Sequence, residues 1–407
     1  MLALRVPLAA ASVAAAIAVA APILLAAMAS PEGPQASPAS PPFSPAVRAG
    51  NLVYLSGMLP TGEGGKIVPG DIRAQTRRTL DNLAALALRS GTALERAAAV
   101  NVYLKRAEDF SAMNEVYRTY WPKDPPARTT VVADLVVPEA LIEISMVAIV
   151  TGAPRQVVQP ASWVSAANPY SYGVLAGDTL FTSGLLSRSG ADNSPIPGDI
   201  TVQTKAVLEN ARAVLAAGGM TPSDVVAARV YLTTAADFQA MNAAYRGFFA
   251  KDPPSRATVQ VGLTAPPYLV EIALVAVKRA DRQVVTPANS DGTPGRPNPN
   301  LSAAIRVGDR LFLSGMLGAN EATRGQVAGQ TREALARLGR TLSAAGFAWS
   351  DVVESTVWLP DLAGFKEMNE VYRSVLTPPF PARATVRSGL MGADGLVEIA
   401  MTAVRRR

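Results

Sequence analysis

The chain has 407 residues, 49% hydrophobic and 17% charged, which is too apolar for a disordered protein and long enough for two or three domains. It contains neither cysteine nor histidine; this excludes disulfides, thiolate nucleophiles, Cys/His zinc sites and Ser-His-Asp triads. The net charge of +6 is modest, and the basic residues are less clustered than those of a nucleic-acid-binding surface. We therefore expect no nucleic-acid partner. Any catalysis must therefore use carboxylates, Arg, Lys, Tyr, hydroxyls or backbone groups.

The N-terminal segment resembles a targeting signal. No charge lies between Arg5 and Glu32, and the stretch is mostly Ala, Val, Ile and Leu, with small residues at Ala27-Met28-Ala29. We expect residues 1–29 to be a signal peptide or an uncleaved membrane anchor, followed by a Pro/Ser-rich spacer at 30–42. Both alternatives export the body, to the periplasm or to the outer side of the cytoplasmic membrane, with membrane contact only through this segment.

The rest of the sequence contains three tandem copies of one domain. The offsets of 128 and then 127 residues relate three sets of markers: Arg128, Arg256 and Arg383; Glu143, Glu271 and Glu398; and Asn114, Asn242 and Asn369. Because the period is far longer than that of a solenoid repeat, each copy should be a complete small domain. We place copy 1 at 43–151, copy 2 at 168–280 and copy 3 at 298–407, with Pro/Gly/Ser-rich linkers between them.

Each copy shows the same order of predicted elements, taken here from copy 1. An apolar strand from Leu52 ends at a Ser-Gly pair, and a helix opens at Gln75-Thr76. A strand follows, and then a second helix with Phe110 and Tyr117 on one face. Two final strands surround Arg128 and the glutamate. This order predicts an α+β fold with both helices on one face of a sheet.

The last strand of copy 1 bears on assembly. Nearly every residue from Leu141 to Val150 is apolar, on both alternating faces. A strand that is apolar on both faces must be covered on both, and the two helices cover only one. We therefore expect the three copies to pack against one another in a ring, so that the chain is a monomer that mimics a trimer.

These markers resemble the Rid family (YjgF, reactive intermediate deaminase). The segments that carry the resemblance are Phe43 to Asn51, Leu55-Ser56-Gly57, Asp109 to Asn114, Pro126-Ala127-Arg128 and Leu141 to Ile144. The resemblance implies chorismate-mutase-like α+β domains that form an intrachain pseudo-trimer, with ligand clefts between copies. It also implies hydrolysis of 2-imino acids and their enamine tautomers to 2-oxo acids and ammonia, with no cofactor and no metal.

The resemblance implies that the three arginines clamp the substrate carboxylate and that the three glutamates position the attacking water. A guanidinium suits a carboxylate because it offers two parallel donors. Burial in an apolar strand would raise the glutamate pKa toward the range of a general base. The structural alternative is a salt bridge between each arginine and the glutamate fifteen residues later in the same copy.

Further candidates have both functional and structural interpretations. The Ser-Gly pairs would bind ligand or simply form a turn, and the helix asparagines would reach the cleft or cap core backbone groups. The pairs are Ser56-Gly57, Ser183-Gly184 and Ser314-Gly315. The family tyrosine is present only as Tyr170 in copy 2, where we expect a catalytic role; Phe43 and Leu301 replace it elsewhere.

Imine and enamine deamination is thus the predicted function, acting on a small carboxylate-bearing metabolite. The first alternative is a non-catalytic binder that holds such a carboxylate with the same arginine. The second is endoribonuclease activity, which the absence of histidine and the predicted export disfavour.

Overall fold

A computed structural model describes residues 41–405. The chain divides into two units, Met1–Ser40 and Pro41–Arg407, and all three repeats belong to the second. The predicted leader at 1–29 and nearly all of the spacer at 30–42 lie outside the described residues. Within 41–405, no helix has both the length and the apolar character needed to cross a bilayer.

The three copies contain the same succession of elements. Copy 1 has β1 (Ala46–Ala49), β2 (Leu52–Met58), α1 (Ile72–Arg89), β3 (Ala97–Leu104), α2 (Phe110–Tyr120), β4 (Ala127–Val132) and β5 (Ile142–Ile149). Copy 2 has β6 (Arg155–Val158), β7 (Gly173–Ala176), β8 (Thr179–Thr182), α3 (Ile200–Ala217), β9 (Val225–Leu232), α4 (Phe238–Phe248), β10 (Ser255–Gln260), β11 (Gly262–Leu263) and β12 (Val270–Val277). Copy 3 has β13 (Arg282–Val285), β14 (Ala304–Val307), β15 (Arg310–Leu317), α5 (Val327–Ala344), β16 (Val352–Leu359), α6 (Phe365–Val375), β17 (Ala382–Arg387), β18 (Gly389–Leu390) and β19 (Glu398–Val404).

Each copy is built on one mixed sheet. In copy 1 the strand order is β1-β2-β5-β3-β4-β11; β3 and β4 are parallel and joined through α2, and the other pairs are antiparallel. Both helices pack on one face, where Leu80, Leu83 and Met113 meet Ile142 and Ile144 in a buried cluster. The predicted α+β class and helix placement are confirmed.

The first helix of each copy begins one turn earlier than predicted. The helix α1 starts at Ile72, three residues before Gln75, and α3 starts at Ile200. In copies 1 and 2 the reason is a capping carboxylate: Asp71 and Asp199 accept hydrogen bonds from backbone N–H groups in the first turn. An Asp at this position satisfies donors that the helix itself cannot pair. In copy 3, where α5 starts at Val327 without such a cap, the Ala328 N–H donates to Glu367 of α6.

The predicted linkers also begin as strands. Residues Arg155–Val158 form β6, which pairs with β7 of copy 2, and Arg282–Val285 form β13, which pairs with β14 of copy 3. Two arginines tie these strands back to the preceding copy, since Arg155 donates to the Ala97 carbonyl and Arg282 to the Val225 carbonyl, at 3.0 and 3.1 Å. The repeated Arg-Gln-Val-Val sequence therefore forms an edge strand that connects two copies.

The strand that is apolar on both faces behaves as predicted. All eight residues of β5 are buried. Ile144 and Met146 face the helices, whereas Val147 and Ile149 pack against Phe181 of copy 2 and other residues of copies 2 and 3. The second face of the sheet is therefore covered by the neighbouring copies, as the periodicity requires.

The copies close into a ring through exchanged pairings. The strand β11 of copy 2 joins the sheet of copy 1, and β18 of copy 3 joins the sheet of copy 2. A bridge between Leu135 of copy 1 and Val386 of copy 3 completes the circle. Equivalent aromatic side chains from all three copies, Tyr103, Tyr231 and Trp358, lie in one shared buried cluster. One chain thus makes an intrachain pseudo-trimer.

This closure predicts that the protein runs as a single chain in solution. The sheet faces that would recruit other subunits are already covered within the chain, so residues 41–405 leave no equivalent surface to drive trimerisation. Light scattering should give the mass of one 42.4 kDa chain, less any leader that is removed. A stable trimer of whole chains would contradict the closed ring.

Candidate active site

Each candidate site is assembled from two copies. The arginine lies on β4, β10 or β17, and the glutamate lies on the final strand of the next copy around the ring, β12, β19 or β5. The electrostatic partners are Arg128 with Glu271, Arg256 with Glu398 and Arg383 with Glu143. Each pair therefore crosses from one copy to the next. We name the sites cleft 1/2, cleft 2/3 and cleft 3/1 by the copies that supply the arginine and the glutamate.

The predicted alternative of a salt bridge within one copy is wrong. Glu143 interacts with Arg383 of copy 3 and not with Arg128 of its own copy. The cause is the alternation of side chains along β5: Glu143 is on the face that packs against other copies, the opposite face from Ile142 and Ile144, which lie beneath the helices. Sequence separation of fifteen residues gives no information about this choice.

The arginines are held by aromatic side chains of the second helix. The Cζ of Arg128 lies 4.7 Å from the Tyr117 ring centroid, and the corresponding distances are 4.7 Å for Arg256 over Tyr245 and 4.9 Å for Arg383 over Tyr372. Each arginine is at most 4% exposed, and burial lowers its pKa. A cation–π contact fixes a guanidinium without using its hydrogen-bond donors.

Those donors remain available. The Nη1 atom of every one of the three arginines is buried without a hydrogen-bond partner among the described residues, and so is Nε of Arg256. Two residues further along each strand, and so on the same face, a threonine Oγ1 is also buried without a partner. These threonines are Thr130, Thr258 and Thr385. A buried unpaired donor costs free energy, so the same pattern in three clefts indicates a place for a polar ligand.

The glutamates are buried acids with raised pKa values. Glu143, Glu271 and Glu398 are at most 5% exposed. Burial raises each pKa from 4.5 to about 8, and nearby arginines and a backbone hydrogen bond from a threonine oppose the change. The opposing groups are Arg383 and Thr385 for Glu143, Thr130, Arg128 and Arg188 for Glu271, and Arg229, Arg256 and Thr258 for Glu398. A pKa near 8 lets a carboxylate exchange a proton with water near neutral pH.

The glycine of each Ser-Gly pair makes room for this acid. A Cβ atom added to Gly57, Gly184 or Gly315 would lie 1.7–1.9 Å from Oε1 of the glutamate in the same copy. A side chain at this position would force the glutamate carboxyl group to move, so the glycine leaves the space that the acid occupies. The Gly184 N–H donates to the Arg128 carbonyl at 3.1 Å, which also ties it to the neighbouring strand.

The serine of the pair joins the copies. The Ser183 hydroxyl donates to the Ser171 carbonyl at 2.6 Å and accepts from the Arg128 N–H at 2.8 Å. Ser314 makes the same pair of bonds to Ser302 and Arg256, and Ser56 to Ser44 and Arg383. Each hydroxyl proton is used within the protein. The structure places these serines at the joint that positions the arginine, and not as donors to a ligand.

Two of the three helix asparagines contact polar side chains of the clefts. Asn242 Oδ1 accepts a hydrogen bond from Nη2 of Arg256 at 2.7 Å. Asn114 donates to the side chain of Asn168, a cleft residue of copy 2. The Oδ1 atoms of Asn114 and Asn369 are buried without a partner among residues 41–405. Their placement favours the cleft interpretation.

Tyr170 lies in cleft 1/2, where it lines one cavity with Arg128 and Glu271. Its ring centroid is 5.9 Å from Cζ of Arg128, and burial raises its pKa to about 12. In cleft 3/1 the Phe43 ring takes this place, 5.6 Å from Cζ of Arg383. Only cleft 1/2 therefore has a phenol hydroxyl at this position.

Sequence reasoning missed a positioning glutamine. The Gln75 side chain accepts from the Leu141 N–H at 2.7 Å and donates to the Glu139 carbonyl at 3.1 Å, which fixes the chain two residues before Glu143. Gln203 and Gln330 make the same bonds in copies 2 and 3. Their repetition at a fixed offset was visible in the sequence. Among the described residues, no group of three or more acidic side chains is placed to hold a metal ion.

Comparison with known proteins identifies the family. A family model described as Endoribonuclease L-PSP matches residues 34–150, 161–278 and 295–405. The chain belongs to this family, also called YjgF or Rid. The predicted resemblance is therefore confirmed, once in each copy.

Three proteins similar to this Rid chain each match about one third of it over most of their own length. The 3-aminoacrylate deaminase RutC of Acinetobacter baylyi is 40% identical over 119 residues, which is 29% of this chain and 93% of RutC. A RutC family protein of Pyrococcus abyssi is 39% identical over 108 residues, 26% of this chain and 85% of the relative. The solved structure of E. coli TdcF with bound serine is 30% identical and covers 30% of this chain and 99% of its own, with a TM-score of 0.29.

The raised glutamate pKa values predict a pH-dependent stability cost. An unfolded glutamate ionises near 4.5 and the folded one near 8, so the folded state binds more protons and stability falls as pH rises through this window. A Glu271→Gln variant should unfold at higher urea concentration than the parent at about pH 9, by at least about 1 kcal/mol, and nearly equally at about pH 4. The exposed Glu139→Gln serves as control and should show no such difference. An advantage of Glu271→Gln that does not change with pH would contradict burial of the charge as its cause.

Proposed function

We propose that this protein hydrolyses 2-imino acids and their enamine tautomers to 2-oxo acids and ammonia in its inter-copy clefts. The observation that carries the proposal is the repeated set of one unpaired guanidinium donor, one unpaired threonine hydroxyl and one raised-pKa glutamate. The naming of one relative as a 3-aminoacrylate deaminase supports the reaction class.

The arginine binds the substrate carboxylate. Its Nη1 donor is unpaired and its plane is fixed against a tyrosine ring, so it loses little freedom when a carboxylate arrives. The threonine hydroxyl on the same strand face supplies a further donor next to it. Arg128 and Thr130 illustrate this arrangement in cleft 1/2.

The glutamate acts as general base and general acid. In its ionised form it removes a proton from water as the water oxygen attacks the imine carbon, forming a C–O bond and converting C=N to a C–N single bond. The resulting glutamic acid returns the proton to the nitrogen. The glutamate then takes the hydroxyl proton and passes it to the nitrogen, so that the C–N bond breaks, ammonia leaves and the C=O bond forms. A pKa of about 8 suits both steps, because neither protonation state is strongly favoured.

This mechanism predicts a pH profile and a division of roles. The kcat/KM for release of 2-oxo acid, above the spontaneous rate, should rise with pH through a midpoint of about 8, since the carboxylate is the active form. Replacing all three glutamates by Gln should lower kcat by about 100-fold or more. Replacing all three arginines by Met should mainly raise KM.

The same assay separates the alternatives. A protein that binds 2-oxo acids but accelerates no imine hydrolysis would be a carboxylate binder. Cleavage of RNA that is lost in the triple Glu→Gln variant would instead assign the clefts to endoribonuclease activity. A flat pH profile between about pH 6 and 9 would contradict the glutamate as base.

A further prediction concerns unequal clefts. If the Tyr170 hydroxyl orients the substrate or the departing ammonia, Tyr170→Phe removes one transition-state hydrogen bond and should lower the rate about tenfold, removing most of the activity, with little change in KM. Phe43→Tyr should raise activity by adding the hydroxyl to cleft 3/1. Unchanged turnover in Tyr170→Phe, together with equal losses on replacing each arginine in turn, would show that the clefts are equivalent.

A further inference from the structure

A second arginine lines cleft 1/2. Arg188 lies in the same cavity wall as Arg128, Tyr170 and Glu271. It follows the Ser183-Gly184 pair by a few residues, and the matching positions of the other copies are neutral: Thr61 in copy 1 and Ala319 in copy 3. The positive charge at this point of the wall is therefore specific to one cleft.

The backbone of Arg188 is fixed by the first helix of copy 2. Asn210 of α3 donates from Nδ2 to the carbonyl oxygens of Leu186 and Arg188, at 3.0 and 2.7 Å. The guanidinium carbon lies 4.8 Å from the Tyr268 ring centroid. Asn210 thus fixes the backbone of Arg188 and Tyr268 supports its side chain, as Tyr117 supports that of Arg128.

Arg188 also has an unsatisfied donor. Its Nε atom is buried without a hydrogen-bond partner among the described residues, and its Nη1 makes only a long contact of 3.4 Å to the Asn193 carbonyl. The glutamate of the cleft, Glu271, is within electrostatic range of both Arg128 and Arg188. One carboxylate with a raised pKa does not neutralise two guanidinium groups, so cleft 1/2 favours anionic ligands. Glu398 of cleft 2/3 also has a second arginine nearby, Arg229, but that side chain donates to Thr356 and stacks on Trp358.

We propose that cleft 1/2 prefers 2-imino dicarboxylic acids. This rests on the proposed function and adds the substrate class. The carboxylate next to the imine binds Arg128 of copy 1, and the distal carboxylate binds Arg188 of copy 2. Clefts 3/1 and 2/3 have the uncharged Thr61 and Ala319 at the second position, so they gain no affinity from a distal carboxylate. Three unequal specificities are accessible here because the copies share one chain, whereas identical subunits have identical sites.

The test compares imines from two classes of amino acid. Imines of aspartate and glutamate, generated by an amino-acid oxidase, are compared with those of alanine and leucine. Arg188→Met should lower kcat/KM for the dicarboxylic imines at least about tenfold, the effect of losing one charge-assisted contact, and leave the monocarboxylic imines within about twofold. Arg188→Lys should restore part of the loss. Equal losses for both classes, or none for the dicarboxylic class, would overturn the proposal.

The matched control is Arg212→Met. Arg212 also stacks on an aromatic ring, 4.6 Å from the Phe248 centroid, but on the exposed side of α3. This variant should leave kcat/KM unchanged for both classes of imine. Conversely, Ala319→Arg should raise activity on dicarboxylic imines in the Arg188→Met background. Failure of Arg212→Met to differ from Arg188→Met would show that the effect comes from lost packing and would overturn the proposal.

Binding by the reaction products keeps this inference separable from the proposed function. Calorimetry with 2-oxoglutarate and 2-oxobutyrate should show one site per chain that binds the dicarboxylate at least about tenfold more tightly, and Arg188→Met should remove this difference. If no imine is hydrolysed but this discrimination is present, deamination is refuted and the dicarboxylate class stands. Equal affinity for the two products would refute the dicarboxylate class even if imines are hydrolysed.

Discussion

The structure depends on one strand that must be buried on both faces. In each copy the final strand is almost wholly apolar, and the two helices cover only one side of it. The other side can be buried only by another copy, so the ring closes within the chain. The single carboxylate of the strand points toward that same side. Assembly and the raised glutamate pKa thus have a common cause, which is burial of the second sheet face between copies.

No copy forms a site alone. The Ser-Gly pair contributes both to the contact between copies and to the site. The serine hydroxyl fixes the backbone of an arginine from the adjacent copy, and the glycine leaves space for the glutamate of its own copy. The glutamate is buried although burial destabilises its ionised form, and the nearby guanidinium and threonine hydroxyl groups have donors without partners among the described residues. Such local conflicts are typical of functional sites in otherwise consistent folds. Because the three copies share one chain, their sites can differ in sequence. Cleft 1/2 differs from the other two by having Tyr170 and Arg188.

Much of the fold could be predicted because its causes are local in sequence. The offsets of 128 and 127 residues identified three copies, and the periodicities identified the helices, the strands and the doubly buried strand. The errors have physical reasons. The helix start was placed at Gln75 because the capping role of Asp71 was overlooked, and the segment Arg155–Val158 was taken as linker because a four-residue strand has little periodicity. The unpaired donor of Thr130 became visible only once its surroundings were known.

The sequence by itself determined which residues repeat, and therefore which arginine, glutamate, asparagine and glycine belong to a site. Only the tertiary structure decided how they combine. Arg383 faces Glu143, 240 residues earlier in the chain, instead of Glu398, fifteen residues later. Sequence distance cannot reveal this, because the choice is made by which sheet face each side chain occupies and which copy covers that face. Burial, which sets the pKa values and leaves donors unpaired, is likewise a property of the closed ring and not of any one segment.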